Sequence, residues 1–355
     1  MAFDLIRIND FRNLTDCELK PDSTMNFIYG GNGSGKTSLL EAIYILSRGR
    51  SFRDKQLQNG VQIGKNSFTL FGIKTEQNKN KTIGINYSKK GANIRIEGER
   101  VSKLSVLARE TPIHIITPRS QEIIENGSGI RRRFLDWGVF HVEPLFQHFL
   151  SRYHRALAQR NSALRENSSS AALWNRELVE SGVKVAEYRK NYFQQLKLMF
   201  EEQLRLLDTS IELEMILYGG WTSNKGLQEV LQDNFSGDEK CKYTRMGPHR
   251  ADIIFKVKNF KLSKLASRGQ IKLAVFGLFF AQANLIKSLS NKESILLVDD
   301  LSSELDNKNV DRLIDLMLSQ KKQIFISTTD QNIRIPTNEG KMFHVEHGLV
   351  EEQSV

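Results

Sequence analysis

The sequence predicts an α/β fold, in which a mixed sheet with helices and an antiparallel β subdomain form one domain interrupted by an α-helical lobe. Three observations support this prediction. Strand and helix patterns alternate near both ends of the chain, three β-like runs follow the first helix, and a long stretch poor in glycine and proline lies between. We therefore expect residues 1–129 and 241–355 to form the domain and residues 130–240 to form the inserted lobe.

The N-terminal part begins with apolar runs typical of strands, at residues 3–8 and 25–29, and the second run leads into a glycine-rich turn. A helical pattern starts at Thr37. The antiparallel subdomain is predicted from the runs 68–74, 82–88 and 93–99, which polar turns separate. In the C-terminal part, strands and helices are predicted in alternation at 251–258, 269–288, 295–298, 307–319 and 323–328.

The predicted lobe carries an apolar stripe at steps of three, four or seven residues. This spacing is typical of one face of a long helix, of roughly 50 Å at about 1.5 Å per residue. We interpret the stripe as the core of the lobe; it consists of Trp174, Leu178, Val185, Tyr188, Tyr192, Leu196, Met199 and Leu206.

Composition and charge limit the partners and the cellular compartment that we expect for this protein. The formal net charge of +10 favours a polyanionic partner such as nucleic acid. Cys17 and Cys241 are the only cysteines, so neither a disulfide framework nor a zinc site is expected and a reducing compartment fits. The N-terminus has no apolar signal-peptide core, and the longest apolar run, 274–286, is shorter than a membrane span. We expect a soluble, cytoplasmic protein with no membrane partner.

A phosphate-binding loop follows the second predicted strand. Its pattern is GxxxxGK[ST], and it stands between an apolar strand and an amphipathic helix, as a P-loop requires. The glycines let backbone N–H groups point at phosphate oxygens, Lys36 is expected to reach the β- and γ-phosphates, and the Thr37 hydroxyl is expected to ligate Mg²⁺. The predicted ATP contacts are Gly30, Gly31, Asn32, Gly33, Ser34, Gly35, Lys36 and Thr37.

Two acidic residues follow a predicted buried strand in the C-terminal part. Residues 295–298 read ILLV and are followed by Asp299 and Asp300, which places carboxylates at the edge of the sheet where α/β sites form. We expect Asp299 to hold Mg²⁺ and Asp300 to orient the water that attacks ATP. The catalytic residues predicted from the sequence are therefore Lys36 and Asp300.

A second anion-binding pattern precedes that strand. Ser267 and Gly269 stand where the predicted helix begins, so a hydroxyl and a backbone N–H could bind phosphate there. One nucleotide does not need two such sites in one subunit. The sequence therefore predicts that the second site contacts ATP held by another subunit, in an ATP-dependent homodimer.

Together these motifs resemble the ABC-type P-loop ATPase heads of SMC proteins and DNA-repair ATPases. The resemblance narrows to the RecF family of bacterial recombination and replication repair proteins and covers essentially the whole chain. It is carried by DFRN (10–13), GRSFR (49–53), RRRFLDWG (131–138), GPHRAD (247–252), LASRGQIK (265–272) and DDLSSELD (299–306).

The resemblance implies an ATP-dependent DNA-binding protein that acts in gap repair, at stalled replication forks and in SOS induction, with RecR and RecO as partners. It implies an ATPase head with a helical lobe in place of a long coiled coil, and a dimer closed by ATP. The site residues it implies are Arg12 and Asn13 near the nucleotide, Ser267, Gly269 and Gln270 in the signature, and Asp306 in the dimer-facing loop.

The chain departs from the wider pattern at positions that bear on catalysis. Asp300 stands where many ABC ATPases have glutamate, and residues 327–329 read STT, without a histidine to contact the γ-phosphate. Both departures predict slow hydrolysis of ATP, as a weak, DNA-stimulated ATPase. After Pro118 the family has an acidic pair, whereas Arg119 and Ser120 stand here, so Gln121 is given no role.

Basic tracts indicate where DNA could bind. Between Lys240 and Lys272 there are ten lysine or arginine residues and one acid, Asp252. Such stripes favour phosphate contacts that do not depend on sequence; part of this one, 256–264, could instead be a solvated hairpin. Further basic tracts are Arg131, Arg132 and Arg133, and Arg152, Arg155, Arg160 and Arg165.

Two other functions share the nucleotide motifs. One is the nucleotide-binding subunit of a transporter, which the basic excess and the helical lobe disfavour. The other is a nucleotide-sensing scaffold that loads partner proteins with little hydrolysis of its own.

Overall fold

The computed structural model describes residues 2–76, 79–166, 169–207, 213–222, 224–257, 260–261, 265–301, 305–329 and 340–353. The chain divides into two compact units, one of residues 1–120 with 291–355 and one of residues 121–290.

The described residues form fifteen strands and ten α-helices. The strands are β1 (Ala2–Phe11), β2 (Leu14–Leu19), β3 (Met25–Tyr29), β4 (Ser67–Glu76), β5 (Lys79–Ser88), β6 (Gly91–Ile96), β7 (Glu99–Arg100), β8 (Ile113–Ile116), β9 (Leu213–Tyr218), β10 (Asp252–Val257), β11 (Phe260–Lys261), β12 (Ile295–Val298), β13 (Ile324–Thr328), β14 (Lys341–Glu346) and β15 (Leu349–Gln353). The helices are α1 (Lys36–Arg48), α2 (Leu104–Glu110), α3 (Glu122–Glu125), α4 (Ser128–Val142), α5 (Phe146–Arg165), α6 (Asn175–Leu206), α7 (Leu227–Asp233), α8 (Phe235–Cys241), α9 (Arg268–Ser290) and α10 (Asn307–Ser319).

The first unit contains two sheets around a common core. One is the predicted antiparallel sheet, with strand order β2-β1-β4-β5-β6-β7. The other is mixed, with order β15-β14-β3-β13-β12-β8, and its strands are parallel except for the β14–β15 hairpin. Fully buried side chains of both sheets and of α1 form one cluster, for example Phe3, Ile43 and Phe325. The predicted combination of a mixed sheet and an antiparallel subdomain is confirmed.

The second unit is mainly helical, but it also contains the small sheet β11-β10-β9. The strand β10 was predicted, whereas β9 was not. Helix α6 has 32 residues, which is about 48 Å at about 1.5 Å per residue. The long helix of the lobe is therefore confirmed.

The apolar stripe of α6 is confirmed along most of its length and wrong at its end. Leu178, Val185, Tyr192 and Leu196 are buried, but Leu206 is 59 % exposed. Seven residues of an α-helix fall about 20° short of two full turns, so a stripe with this spacing shifts around the helix by about 20° at each step. After four such steps the stripe has turned toward solvent, so Leu204 in the last turn and Leu207 directly after the helix are buried instead.

Several arginines of the predicted basic tracts form ion pairs inside the second unit. Arg160 is fully buried, and its guanidinium donates to Asp238 at 2.9 Å. Arg131 pairs with Asp252 at 2.7 Å. Arg152, although less buried, pairs with a carboxylate 2.6 Å away. These arginines stabilise the lobe and have matched acids, so the expectation of phosphate contacts, which rests on basic stripes without matched acids, is not supported at these positions.

The limits of the compact units differ from the predicted ones. They fall at 120/121 and 290/291, whereas the sequence predicted 129/130 and 240/241. The physical reason is packing, because α9 packs on α4 and α6, and β10 pairs with β9 and contacts α4, all within the second unit.

Helix α9 extends the apolar run 274–286 to Arg268–Ser290. By length and composition alone this helix could cross a membrane, but 67 % of its most apolar window is buried inside the protein. Its packing against α4 and α6 is that of a core helix.

Candidate nucleotide-binding site

The glycine-rich loop lies between β3 and α1 and is packed closely against neighbouring backbone. A Cβ atom on Gly30 would lie 2.2 Å from the carbonyl oxygen of Val345 in β14. Gly35 has φ 128°, and a Cβ there would lie 3.0 Å from the Leu14 side chain and 3.1 Å from the amide nitrogen of Asn13. Glycine is required at Gly30 because the loop approaches the backbone of β14 so closely, and at Gly35 because its φ lies in a region that residues with a side chain rarely adopt.

Lys36 starts α1 and reaches back across the loop. Its Nζ donates to the carbonyl oxygens of Gly30 at 2.7 Å and Gly31 at 2.8 Å. Burial lowers the pKa of the Lys36 ammonium below its usual value, and the carboxylates of Asp300 and Asp299 oppose that shift. The positive charge is therefore held at the loop, facing the two predicted acids.

A chain of hydrogen bonds connects the loop with the C-terminal strands. The Thr37 hydroxyl donates to the two carboxylate oxygens of Asp299 at 3.0 and 3.3 Å. The Ser327 hydroxyl, at the end of β13, donates to Asp299 at 2.8 Å. The same hydroxyl accepts from the backbone N–H of Asp300 at 3.0 Å. Thr37 and Asp299, predicted as the two Mg²⁺ ligands, thus lie in direct contact.

Asp300 follows β12 in an unusual backbone conformation. Its φ is 59°, in the left-handed region that non-glycine residues seldom occupy. The hydrogen bond from its N–H to Ser327 holds the turn. The side chain is half-buried and lines the same cavity as Lys36 and Thr37.

The two residues that the resemblance places near the nucleotide also line this cavity. Asn13 donates from its amide to the carbonyl oxygens of Gly33 at 3.2 Å and Ser34 at 3.0 Å. Arg12 forms a two-pronged ion pair with Glu41, at 2.7 and 3.1 Å. Asn13 therefore positions the loop, and the guanidinium of Arg12 is fixed by a carboxylate.

Glu41 is a site residue that sequence reasoning missed. It is fully buried on α1, and besides Arg12 it accepts hydrogen bonds from the Ser51 hydroxyl at 2.6 Å and from Arg53 at 3.3 Å. The carboxylate thereby holds two arginines at the wall of the cavity. The available signal was that Glu41 is the single charged residue in the helical run 37–47.

The cavity has a volume of about 680 Å³, which is within the usual range of small-molecule sites. Its outer wall includes an exposed apolar side chain, Ile63, which is 99 % exposed. The segment that carries Ile63 is fixed to the β1–β2 turn, since the N–H of Gln62 donates to the Asp10 carbonyl and that of Arg12 to the Gly60 carbonyl. Ser327 and Thr329, from the run at which a γ-phosphate contact was considered, also line the cavity. Lining residues not singled out in the sequence are Ser38, Arg53, Asn59, Val61, Ile63 and Pro118.

The predicted signature residues lie in the second unit, at the start of α9. The Ser267 N–H donates to the side-chain oxygen of Gln270 at 2.9 Å, and the Gln270 N–H donates to the Ser267 hydroxyl at 3.3 Å. This reciprocal pair is a capping box, which begins a helix. In this cap the hydroxyl oxygen of Ser267 accepts a hydrogen bond. Its proton, like the N–H of Gly269, can therefore be donated to a phosphate.

Asp306 lies in the first unit and caps α10, where its carboxylate accepts from the Asn309 N–H at 2.8 Å. It is exposed. The preceding Ser303 and Glu304 of the predicted DDLSSELD motif lie outside the described residues.

Comparison with known proteins agrees with this geometry. The family described as RecF/RecN/SMC N terminal domain matches residues 3–349. The protein named DNA replication and repair protein RecF from Shewanella frigidimarina is 37 % identical over 358 residues, 99 % of each chain. A solved structure of the recombination mediator protein RecF-ATP in the RecFOR pathway has a TM-score of 0.87 at 26 % identity, over 99 % of this chain and 98 % of that one. An Smc head bound to the C-winged helix domain of ScpA shares the fold, with a TM-score of 0.63 at 15 % identity over 100 % of this chain and 98 % of that one.

The fold and the loop define an ABC-type ATPase head of the RecF/RecN/SMC class. Within that class the chain belongs to the RecF family of DNA replication and repair proteins.

The packing of the loop predicts different effects for two adjacent glycines. Gly30→Ala should weaken ATP binding by at least about tenfold, because its Cβ would collide with the Val345 carbonyl and displace the loop. Gly31→Ala is the matched control, since nothing lies within 4 Å of its Cβ, and ATP affinity should stay within about twofold. Isothermal titration calorimetry with ATP measures both. Equal affinities of the two variants would contradict the tight packing at Gly30.

Proposed function

We propose that this protein binds ATP with Mg²⁺ in the cavity of the first unit and uses the nucleotide state to control its residence on DNA during gap repair. The observation that carries the proposal is the contact of Thr37 with Asp299, which joins the phosphate-binding loop to the acidic strand end. The relative solved as RecF-ATP, similar over 99 % of this chain, supports ATP as the nucleotide.

The residues present fit a magnesium ion. Thr37 and Asp299 offer a hydroxyl and a carboxylate within 3.3 Å of one another, and oxygen ligands are the ones that Mg²⁺ prefers. When bound there, the ion would neutralise charge on the phosphates. Lys36 would supply a second positive charge, and the amides at the start of α1 would donate to phosphate oxygens.

We infer that hydrolysis is slow and that Asp300 orients the attacking water. Ser327 occupies the end of β13 and already bonds to both acids. A serine there can position Asp299 and Asp300 but carries no charge to place on a γ-phosphate. Slow turnover suits a protein whose ATP state limits the lifetime of a complex.

The roles of Lys36 and Asp300 can be separated by mutation. Lys36→Ala should abolish productive ATP binding, because its charge acts on the bound nucleotide, whereas Asp300→Asn should keep ATP affinity and slow hydrolysis. Binding is measured by calorimetry and hydrolysis by phosphate release, with and without DNA. An Asp300→Asn protein that loses ATP affinity as severely as Lys36→Ala would refute the role given to Asp300. A wild-type protein without any DNA-stimulated turnover would favour the alternative function, a nucleotide-sensing scaffold.

The homodimer is proposed from the second anion-binding pattern. Ser267 and Gly269 have a hydroxyl proton and an N–H suited to a γ-phosphate, and one nucleotide does not need two such sites in one subunit. In the proposed dimer they contact ATP bound by the opposite subunit, so that two nucleotides lie across a two-fold interface. ADP lacks the bridging phosphate and so gives little differential affinity for the dimer. Asp306 is assigned to the dimer-facing loop by the family pattern.

Dimerisation should therefore need ATP and the small side chain of Ser267. Ser267→Arg should block the dimer while each monomer still binds ATP through Lys36 and Thr37. Ser267→Thr keeps both the hydroxyl and the helix cap, so it is the control and should dimerise. Light scattering with ATP, ADP and no nucleotide measures the dimer fraction. Equal fractions with ATP and ADP, or a normal dimer of the Ser267→Arg protein, would exclude the shared site.

DNA is proposed as the polyanionic partner, through phosphate contacts. Part of the predicted basic excess is used internally, since Arg245 pairs with Asp238 and Lys272 is buried. Exposed cations remain at Arg133, Arg155 and Arg165. Lys258 and Lys264 of the predicted segment lie outside the described residues.

DNA binding should depend strongly on salt and little on sequence. With roughly 4–8 phosphates neutralised, log K should fall against log salt with a slope of about −4 to −7. Fluorescence anisotropy with duplex, single-stranded and gapped DNA, with and without ATP, measures the slope and the preferred form. A slope near zero, or tenfold discrimination between unrelated sequences of the same form, would contradict contacts to phosphate.

Family membership adds the proposed context: RecR and RecO as protein partners, replication fork maintenance and SOS induction in the bacterial cytoplasm. The solved relative belongs to the RecFOR pathway by its description. The full-length match to RecF proteins counts against the transporter subunit.

A further inference from the structure

A groove of about 840 Å³ runs along β9 in the second unit. Helix α6 forms one wall. The other wall is formed by β9 and by the segment that follows it, up to Leu227. None of these residues has a role in the function proposed above.

The groove follows the edge of a sheet. In the order β11-β10-β9, the strand β9 is outermost, and β10 occupies only one of its sides. Four consecutive residues of β9, 214–217, line the groove. Because successive side chains point to opposite faces of a sheet, a groove that touches all four runs beside the backbone itself. Within the described residues no strand pairs with this second edge, so its N–H and C=O groups are available to an added strand.

The floor of the groove is apolar. Phe193 of α6 and Met215 of β9 are buried beneath it, 7 % and 2 % exposed. Leu217 and Trp221 complete it, and the indole N–H of Trp221 donates to the Lys225 carbonyl at 3.2 Å, which fixes the ring. Such a floor offers pockets for alternate side chains of an extended chain.

The rim of the groove carries uncompensated positive charge. Lys190 and Lys197 line it from α6, seven residues and hence about 10.5 Å apart. Neither forms an ion pair with a described residue. The other charges of the rim are compensated: Glu187 pairs with Lys184, and Lys225 pairs with Asp233.

One further acid lines the groove, and it lies beside a positive charge. Glu214 faces Lys256 across the β9–β10 ladder. The rim therefore favours carboxylates. An extended chain rises about 3.3 Å per residue, so carboxylates a few residues apart on it match the spacing of the two lysines.

From this arrangement we propose that the β9–α6 groove binds an extended acidic and apolar segment of a partner protein, which adds as a strand to the free edge of β9. Backbone hydrogen bonds to β9 hold the segment. Its apolar side chains enter the floor, and its carboxylates meet Lys190 and Lys197. Edge-strand addition beside a helix is an established mode of peptide recognition. A nucleic acid would use the two lysines but has no complement for the apolar floor or for the strand edge.

The test uses the full-length protein and a fluorescein-labelled eight-residue peptide in which isoleucine and aspartate alternate. Fluorescence anisotropy measures its affinity, and hydrogen exchange measures protection of the amides of residues 214–217. We expect saturable binding with protection of these amides. A version with N-methylated backbone amides should not bind, because it cannot form the ladder, and a version with lysine for aspartate should bind at least about tenfold more weakly. Absence of binding at about 1 mM peptide, equal binding of the N-methylated version, or displacement of the peptide by a single-stranded oligonucleotide would overturn the proposal.

Variants with matched charge changes locate the site. Lys190→Glu combined with Lys197→Glu should weaken peptide binding at least about tenfold. The control is Arg176→Glu combined with Arg205→Glu, two exposed positions on the same helix outside the groove, which should stay within about twofold. Equal loss in both pairs would mean that the peptide responds only to net charge, and the proposal would fall. The exchange measurement on the unmodified protein decides the question even if the groove variant does not fold.

Discussion

The strand β3 lies between two strands that follow it by about three hundred residues, and the architecture of the first unit depends on these pairings. Ile28 of β3 stands opposite Ser327 of β13 on one side and Phe343 of β14 on the other, both in parallel register. Parallel strands end at the same edge of a sheet, so the loop after β3 and the acids after β12 meet there. The 3.0 Å contact of Thr37 with Asp299 is a consequence of that register.

Around this edge, a neutral side chain holds the two acids in position and a charged one holds two arginines. A single hydroxyl, that of Ser327, bonds to the side chain of Asp299 and to the backbone N–H of Asp300. Glu41 holds Arg12 and Arg53 from beneath. A buried carboxylate without such partners would be strongly disfavoured, so the arginines are fixed as firmly as the glutamate. Two arginines of the cavity wall are therefore paired with one buried carboxylate.

Some polar residues that the sequence marks as candidates for binding have structural contacts of their own. Ser267 and Gln270 form a helix cap, whether or not they also meet a phosphate. Arg160 is buried against Asp238 and cannot contact DNA without unfolding its surroundings. Charge counted along the sequence therefore overstates the basic surface. The residues that remain exposed, such as Arg133 and Arg155, are fewer and lie on the helical unit.

The sequence by itself determined the features that local rules govern. The loop at 30–37, the strand before Asp299 and most of the stripe along α6 follow from glycine geometry, apolar runs and helical spacing, and the structure contains them. The site roles of Glu41 and Ile63, the bonds from Ser327 to the two acids, the ion pairs of the lobe and the free edge of β9 were decided only by the tertiary structure. Each depends on a contact between distant parts of the chain, and no spacing rule encodes which distant strand or carboxylate a residue will meet.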